Sequence, residues 1–206
     1  MSSATSRILE WAEALPEAAP IRPNSLLHLG SPTAVRQSLS RLVRRGLLMR
    51  ICQGVYMRTI ETPYGRRAPY ENQMIQSLAK SWGEVIAPNG GAAANILGIS
   101  EQNVVFSVYW TSGPSRTLRY GKRSIILRHV PPWQLSAAER PAGLLLRALV
   151  WLGPTFPQEI EQALEKVVPG FSANDREEFV SLQGVMPAWL ARPVSNCVAY
   201  GSGKVQ

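Results

Sequence analysis

One stretch of this chain restricts its fold more than any other: GSPTAVRQSLSRLVRRGLLMRICQGVY, Gly30 to Tyr56. Ser31 has the chemistry of a helix N-cap, and Pro32 follows at the first helical position, where its missing N–H costs nothing. From there the spacing predicts a helix over Pro32 to Arg45, with Val35, Leu39, Leu42 and Val43 at i, i+4, i+7 and i+8 forming one apolar stripe. Gly46 supplies the left-handed cap, and Leu47 to Ile51 and Val55 to Met57 read as two short strands around Cys52-Gln53-Gly54. Upstream, Ile8, Trp11, Ala12 and Leu15 share one face of a helix over Ser3 to Leu15 that Pro16 closes. Asn24 to Leu29 reads as a short second helix ended by Gly30. Helix, short helix, capped helix and tight hairpin is the element order of a winged helix-turn-helix.

Between Ile60 and Pro69 the composition turns to TPYGRRAP, which reads as a linker. Two domains follow: a winged helix-turn-helix over 1–67 and a C-terminal domain over 68–206. In the latter, Met74, Ile75, Leu78, Ala79 and Trp82 make an amphipathic helix of Tyr70 to Ile86. NGGAAANILG, Asn89 to Gly98, predicts a short helix packed closely on its neighbours, because Ala and Gly let backbones approach. Strands are expected over Val104 to Thr111, Arg116 to Tyr120 and Ser124 to Val130, with SGPS and GK as turns. Helices are expected over Leu135 to Leu152, Pro157 to Val168, Asp175 to Leu182 and Ala188 to Ala191. The fold class is therefore α+β: a winged helix followed by a mixed domain with an antiparallel hairpin or small sheet and flanking helices.

Charge is distributed unevenly. The chain carries a formal +8, yet from Ala18 to Ile60 there are seven arginines and no Asp or Glu. A second acid-free window, Gln102 to Ala138, holds Arg116, Arg119, Lys122, Arg123 and Arg128. Positive potential concentrated in two windows favours a polyanionic partner. Eighteen of the 22 basic residues are arginines, whose planar fork suits phosphate and guanine. No uninterrupted apolar run of about 18 residues occurs, and the N-terminus MSSATSRILEWAEAL is too polar and acidic for a signal peptide. A cytoplasmic location with no membrane partner is expected.

The free face of the third helix carries Thr33, Arg36, Gln37 and Ser40 in its N-terminal half. In a winged helix this element enters the major groove, where Arg takes guanine bidentately and Gln takes adenine. Arg41, Arg44 and the wing residues Arg50, Gln53 and Arg58 fall nearer the phosphates of a double-stranded operator, fixing register and orientation. Groups for chemistry are few. His28 and His129 are the only histidines, and neither has an Asp or Glu close in sequence. Cys52 and Cys197 stand far apart without metal-ligand spacing, and Glu161 and Glu165 share a helix face with no histidine. Asn89-Gly90-Gly91 lacks the rest of a phosphate-binding loop. No catalytic residue, metal site or cofactor is expected, and the chain reads as a binding protein rather than an enzyme.

The segment RQSLSRLVRRGLLMRICQGVY resembles the winged helix of AbiE-type (AbiEi) antitoxins of bacterial toxin–antitoxin and phage-defence loci. Downstream, Asn95 to Gly98, VYWTSGPSRTLRYGKRSIILRH from Val108 to His129, and the two prolines that follow are similar to the same family. The resemblance implies a transcriptional autorepressor that binds operator DNA and counteracts a cognate nucleotidyltransferase-like toxin. It also implies a toxin or anion contact at Ser115, Arg116 and His129, to which the basic hairpin adds Arg119 and Arg123. An alternative from the residues alone is an RNA-binding module that uses the basic hairpin 116–128.

Overall fold

The computed structural model describes residues 3–101, 107–155 and 157–201 of a mixed α+β protein. Its first elements are α1 (Ala4–Glu13), a 3-10 helix (Pro23–Leu29), α2 (Pro32–Arg44), β1 (Leu48–Cys52), β2 (Val55–Arg58), β3 (Ile60–Thr62), β4 (Gly65–Arg67) and α3 (Glu71–Trp82). They are followed by β5 (Ile86–Pro88), α4 (Gly90–Ile96), β6 (Ser107–Thr111), β7 (Arg116–Tyr120) and β8 (Arg123–His129). A 3-10 turn (Pro132–Leu135) leads to α5 (Pro141–Leu152), α6 (Pro157–Val167), α7 (Ala173–Ser181) and α8 (Ala188–Gly201). Two compact units contain these elements: Met1–Glu84 with Arg116–Ile125, and Val85–Ser115 with Ile126–Gln206. The chain thus crosses between units three times.

In the first unit, Ser31 caps α2 as its chemistry requires, its Oγ accepting the Ala34 N–H at 3.3 Å. Val35, Leu39 and Leu42 of α2 meet Ile8 and Ala12 of α1 together with Ile21, Leu26, Leu47 and Leu48 in one core. Full burial of each such aliphatic side chain contributes about 1.5–3 kcal/mol. Gly46, at φ 68°, turns the chain out of α2, and Gly54, at φ 71°, turns it between β1 and β2. Those two strands pair antiparallel, Arg50 opposite Tyr56, and Ile21 adds a bridge: its N–H donates to the Tyr56 carbonyl at 2.7 Å and its own carbonyl accepts in return at 2.9 Å.

Some expected elements take another form. The short second helix is a 3-10 helix opened by Pro23, and no side chain caps it, in contrast to Ser31 on α2. The segment expected to be a linker is largely a hairpin, β3 paired with β4 in the register Ile60↔Arg67. Gly65, at φ 108°, makes its turn, and the Thr62 hydroxyl donates to the Gly65 carbonyl at 2.6 Å. Helix α3 ends at Trp82 with Gly83 in the left-handed conformation, so Ile86 begins a strand instead of closing the helix. The Leu135–Leu152 helix starts only at Pro141, because a 3-10 turn and Ala137 at φ 49° precede it. The first residues of the strand expected from Val104 lie outside the described residues, and the rest of it is β6.

The second unit is helical around a sheet edge. β5 pairs antiparallel with β6, Ala87 opposite Trp110. Ala142, Leu145, Leu146 and Leu149 of α5 pack with Ile160, Leu164, Phe179 and Leu190 in its main core. The small-residue helix α4 lies tightly on α5: a Cβ on Gly90 would fall 2.5 Å from the Arg147 carbonyl and 2.5 Å from Trp151 Cβ. Close approach is therefore the reason for this run of Gly and Ala. Asn89 commits its side chain to the N-cap, Oδ1 accepting the Ala92 N–H at 2.8 Å.

Candidate functional site

Helix α2 separates its residues by face. Val35, Ser38, Leu39 and Leu42 are buried, whereas Thr33, Arg36, Gln37, Ser40, Arg41 and Arg44 are exposed. Arg36 Nε reaches back 3.4 Å to the Pro32 carbonyl. Among the described residues no arginine of α2 forms an ion pair with a carboxylate. These guanidinium groups are solvated and can exchange water for an anion without first breaking a bridge. On the hairpin, Arg50 and Gln53 are exposed, and Arg50 Nε lies 3.4 Å from the Cys52 carbonyl. Arg58 is half-buried, with Nε enclosed and unpartnered among the described residues. Burial pushes the Cys52 thiol upward, while nearby Arg116, Arg50 and Arg22 act in the opposite direction.

The second basic window is split in its duties. Arg116 is held within the first unit, Nη1 donating to Glu84 Oε1 at 3.0 Å and Nη2 to Oε2 at 2.5 Å, with its guanidinium 3.8 Å from the centre of the Trp82 ring. The Tyr120 hydroxyl donates to Glu71 Oε2 at 2.5 Å. Burial and this carboxylate raise the phenol above its ordinary range, against the opposing effect of Arg123. Strand β7 therefore grips α3 at its first residue and just beyond its last, and it packs against β1. Arg119, Lys122 and Arg123 are exposed. In the second unit, Ser115 Oγ accepts the His129 N–H at 2.9 Å, and His129 Nδ1 lies 2.9 Å from the Gly113 carbonyl. Ser115 and His129 thus close the Ser112–Ser115 loop on the end of β8. Glu84 and Trp82, which fix Arg116, were invisible to spacing because they stand about thirty residues away in the chain.

Replacing Glu84 with Gln should lower the thermal midpoint by an amount equivalent to about 1–2 kcal/mol, since a partly shielded guanidinium loses its bidentate carboxylate but keeps the Trp82 ring. Calorimetry measures it, and an unchanged midpoint would mean that the pair adds nothing to stability.

Among the described residues no group of three or more His, Cys, Asp and Glu could hold a metal ion, and no helix is long and apolar enough to cross a membrane. Glu161 and Glu165 of α6 are exposed. Charge separates with the units: the first carries fifteen Lys and Arg against six acids, a net +9, and the second seven against eight, a net −1. The class is thus an α+β protein whose excess positive charge belongs wholly to one unit. The chain belongs to a family of unknown function, DUF6088, whose model matches residues 7–169. No curated protein matches it in sequence. Among solved structures, the crystal structure of the RV2827C protein from Mycobacterium tuberculosis is similar in fold, with a TM-score of 0.52 and 14% identity over 96% of this chain and 77% of that one.

Proposed function

We propose that the chain is a winged helix-turn-helix repressor and antitoxin, which binds double-stranded operator DNA, represses its own operon and counteracts a nucleotidyltransferase-like toxin. One observation carries the DNA-binding reading: α2 exposes Thr33, Arg36, Gln37 and Ser40, followed by Arg41 and Arg44, without carboxylate partners, on a unit of net charge +9. The major groove admits a helix of this kind, and Arg and Gln are the side chains that read guanine and adenine there. The antitoxin reading is supported by the likeness of Arg36–Tyr56, Asn95–Gly98 and Val108–His129 to AbiE-type antitoxins. It requires binding and no chemistry by this chain.

Arg36→Ala and Gln37→Ala should each reduce discrimination between the chain's own promoter duplex and a scrambled duplex by about 1–3 kcal/mol, because each removes a base-edge partner. Titrating both variants against both duplexes gives the answer. Equal losses on the two duplexes would exclude base readout by α2.

A further inference from the structure

We infer that Arg116–Ile125, β7 with the turn into β8, is a second DNA-contacting element of the first unit, its Arg119, Lys122 and Arg123 meeting duplex phosphates together with the wing. The inference rests on the proposed operator binding and gives it an additional surface. Three observations support it. The hairpin residues Arg116–Ile125 group with the N-terminal segment and not with the unit that surrounds them in sequence. Without them the unit would hold eleven cations against six acids, a net +5; they bring four cations and no acid, and raise it to +9. Finally, β7 packs against β1, the wing strand that carries Arg50.

The hairpin is also preorganised. Leu118 and Tyr120 point inward and Thr117 and Arg119 outward, as strand alternation demands. Bonds from Tyr120 to Glu71 and from Arg116 to Glu84 pin β7 to both ends of α3. Arg116 is neutralised there, so its three exposed neighbours are the cations left for a ligand. A strand already fixed in place spares the entropy of ordering a loop on binding. The exposed tip meets the DNA backbone with these three cations and so positions the duplex without reading it.

The test compares the full-length chain with the variant Arg119→Gln, Lys122→Gln, Arg123→Gln. Binding to the promoter duplex and to a scrambled duplex is measured across a salt series. Affinity should fall by the same factor on both, and the slope of log affinity against log salt should become shallower by about 0.9 for each phosphate that is no longer neutralised. The charge-conserving variant Arg119→Lys, Arg123→Lys should retain the slope. Unchanged affinity and slope, with Arg36→Ala and Gln37→Ala still losing discrimination, would remove the hairpin from the interface and leave α2 on it. If the α2 variants also bind as wild type does, operator binding itself fails and the inference with it. Loss confined to a structured RNA, or to rescue from the toxin, would likewise overturn it and assign the hairpin to that partner.

Discussion

Gly143→Ala is expected to destabilise the second unit by about 3 kcal/mol, the upper range for forcing one extra methyl into a packed site. A Cβ at this position would lie 2.0 Å from the Ala137 carbonyl oxygen and 2.5 Å from both the Ala137 carbonyl carbon and the Ser136 oxygen. All three are backbone atoms, so no side chain can swing aside. Nor is the loop free to withdraw: Ala137 already sits at φ 49°, a conformation that a residue with a Cβ adopts only under local constraint. The Ala138 carbonyl beyond it receives a hydrogen bond from Arg147 at 3.0 Å. Gly184→Ala is the matched control, since a Cβ there meets nothing within 4 Å. Denaturant melts of the two variants should separate clearly, and coincident curves would mean that the loop yields after all.

The second large effect concerns Arg147 itself, which is 1% exposed. Only its Nη2 has a partner, while Nε and Nη1 are enclosed and unpartnered among the described residues. Burial pulls the guanidinium down to about 10. Arg147→Met keeps an unbranched side chain of similar reach, loses one hydrogen bond and removes a buried charge with two idle donors. It should therefore stabilise the protein by about 1–3 kcal/mol, whereas Arg147→Ala, which leaves a void, should destabilise it by a similar amount. The sign with pH follows from the lowered folded value. The charge penalty is present in full below about 10 and is relieved as pH rises through it. The methionine advantage should then be constant across neutral pH. Chemical denaturation of the three proteins decides it, and a less stable Met variant would show that Arg147 is held by interactions beyond Ala138.

Local chemistry was legible in the sequence wherever a residue acts on its near neighbours. Ser31 and Pro32 announced the start of α2, and Gly46 its end; the apolar stripe gave the buried face, and hence the exposed one. The small residues of Asn89–Gly98 announced close packing, which the approach of Gly90 to Arg147 and Trp151 explains. What composition alone suggested was less secure. TPYGRR has the residues of a linker, but Pro63-Tyr64 between Thr62 and Gly65 is also a turn, and pairing across it yields a hairpin. Long-range partners were illegible. Arg116 read as a cation open to a ligand because Glu84 and Trp82 are remote in the chain, and only folding brings them within bonding distance. Ser115 and His129 entered only through the family resemblance, and their bond, from the His129 backbone N–H to the Ser115 hydroxyl, joins residues fourteen apart in the chain.

Because residues 116–125 belong with 1–84, the first unit is discontinuous in the chain. During synthesis, α1 through α3 emerge from the ribosome before the strand that clasps both ends of α3 has been made. Glu71, Trp82 and Glu84 must wait for Tyr120 and Arg116, so the N-terminal unit reaches its final form only after roughly forty further residues are translated, a delay of seconds at about 5–20 residues per second. A truncation after residue 84 would release a fragment missing that clasp and nearly half of the unit's net charge, and a nascent chain interrupted before residue 116 would be equally incomplete. On the proposed reading, a polyanion would meet the full set of fifteen cations only once residue 125 has been translated.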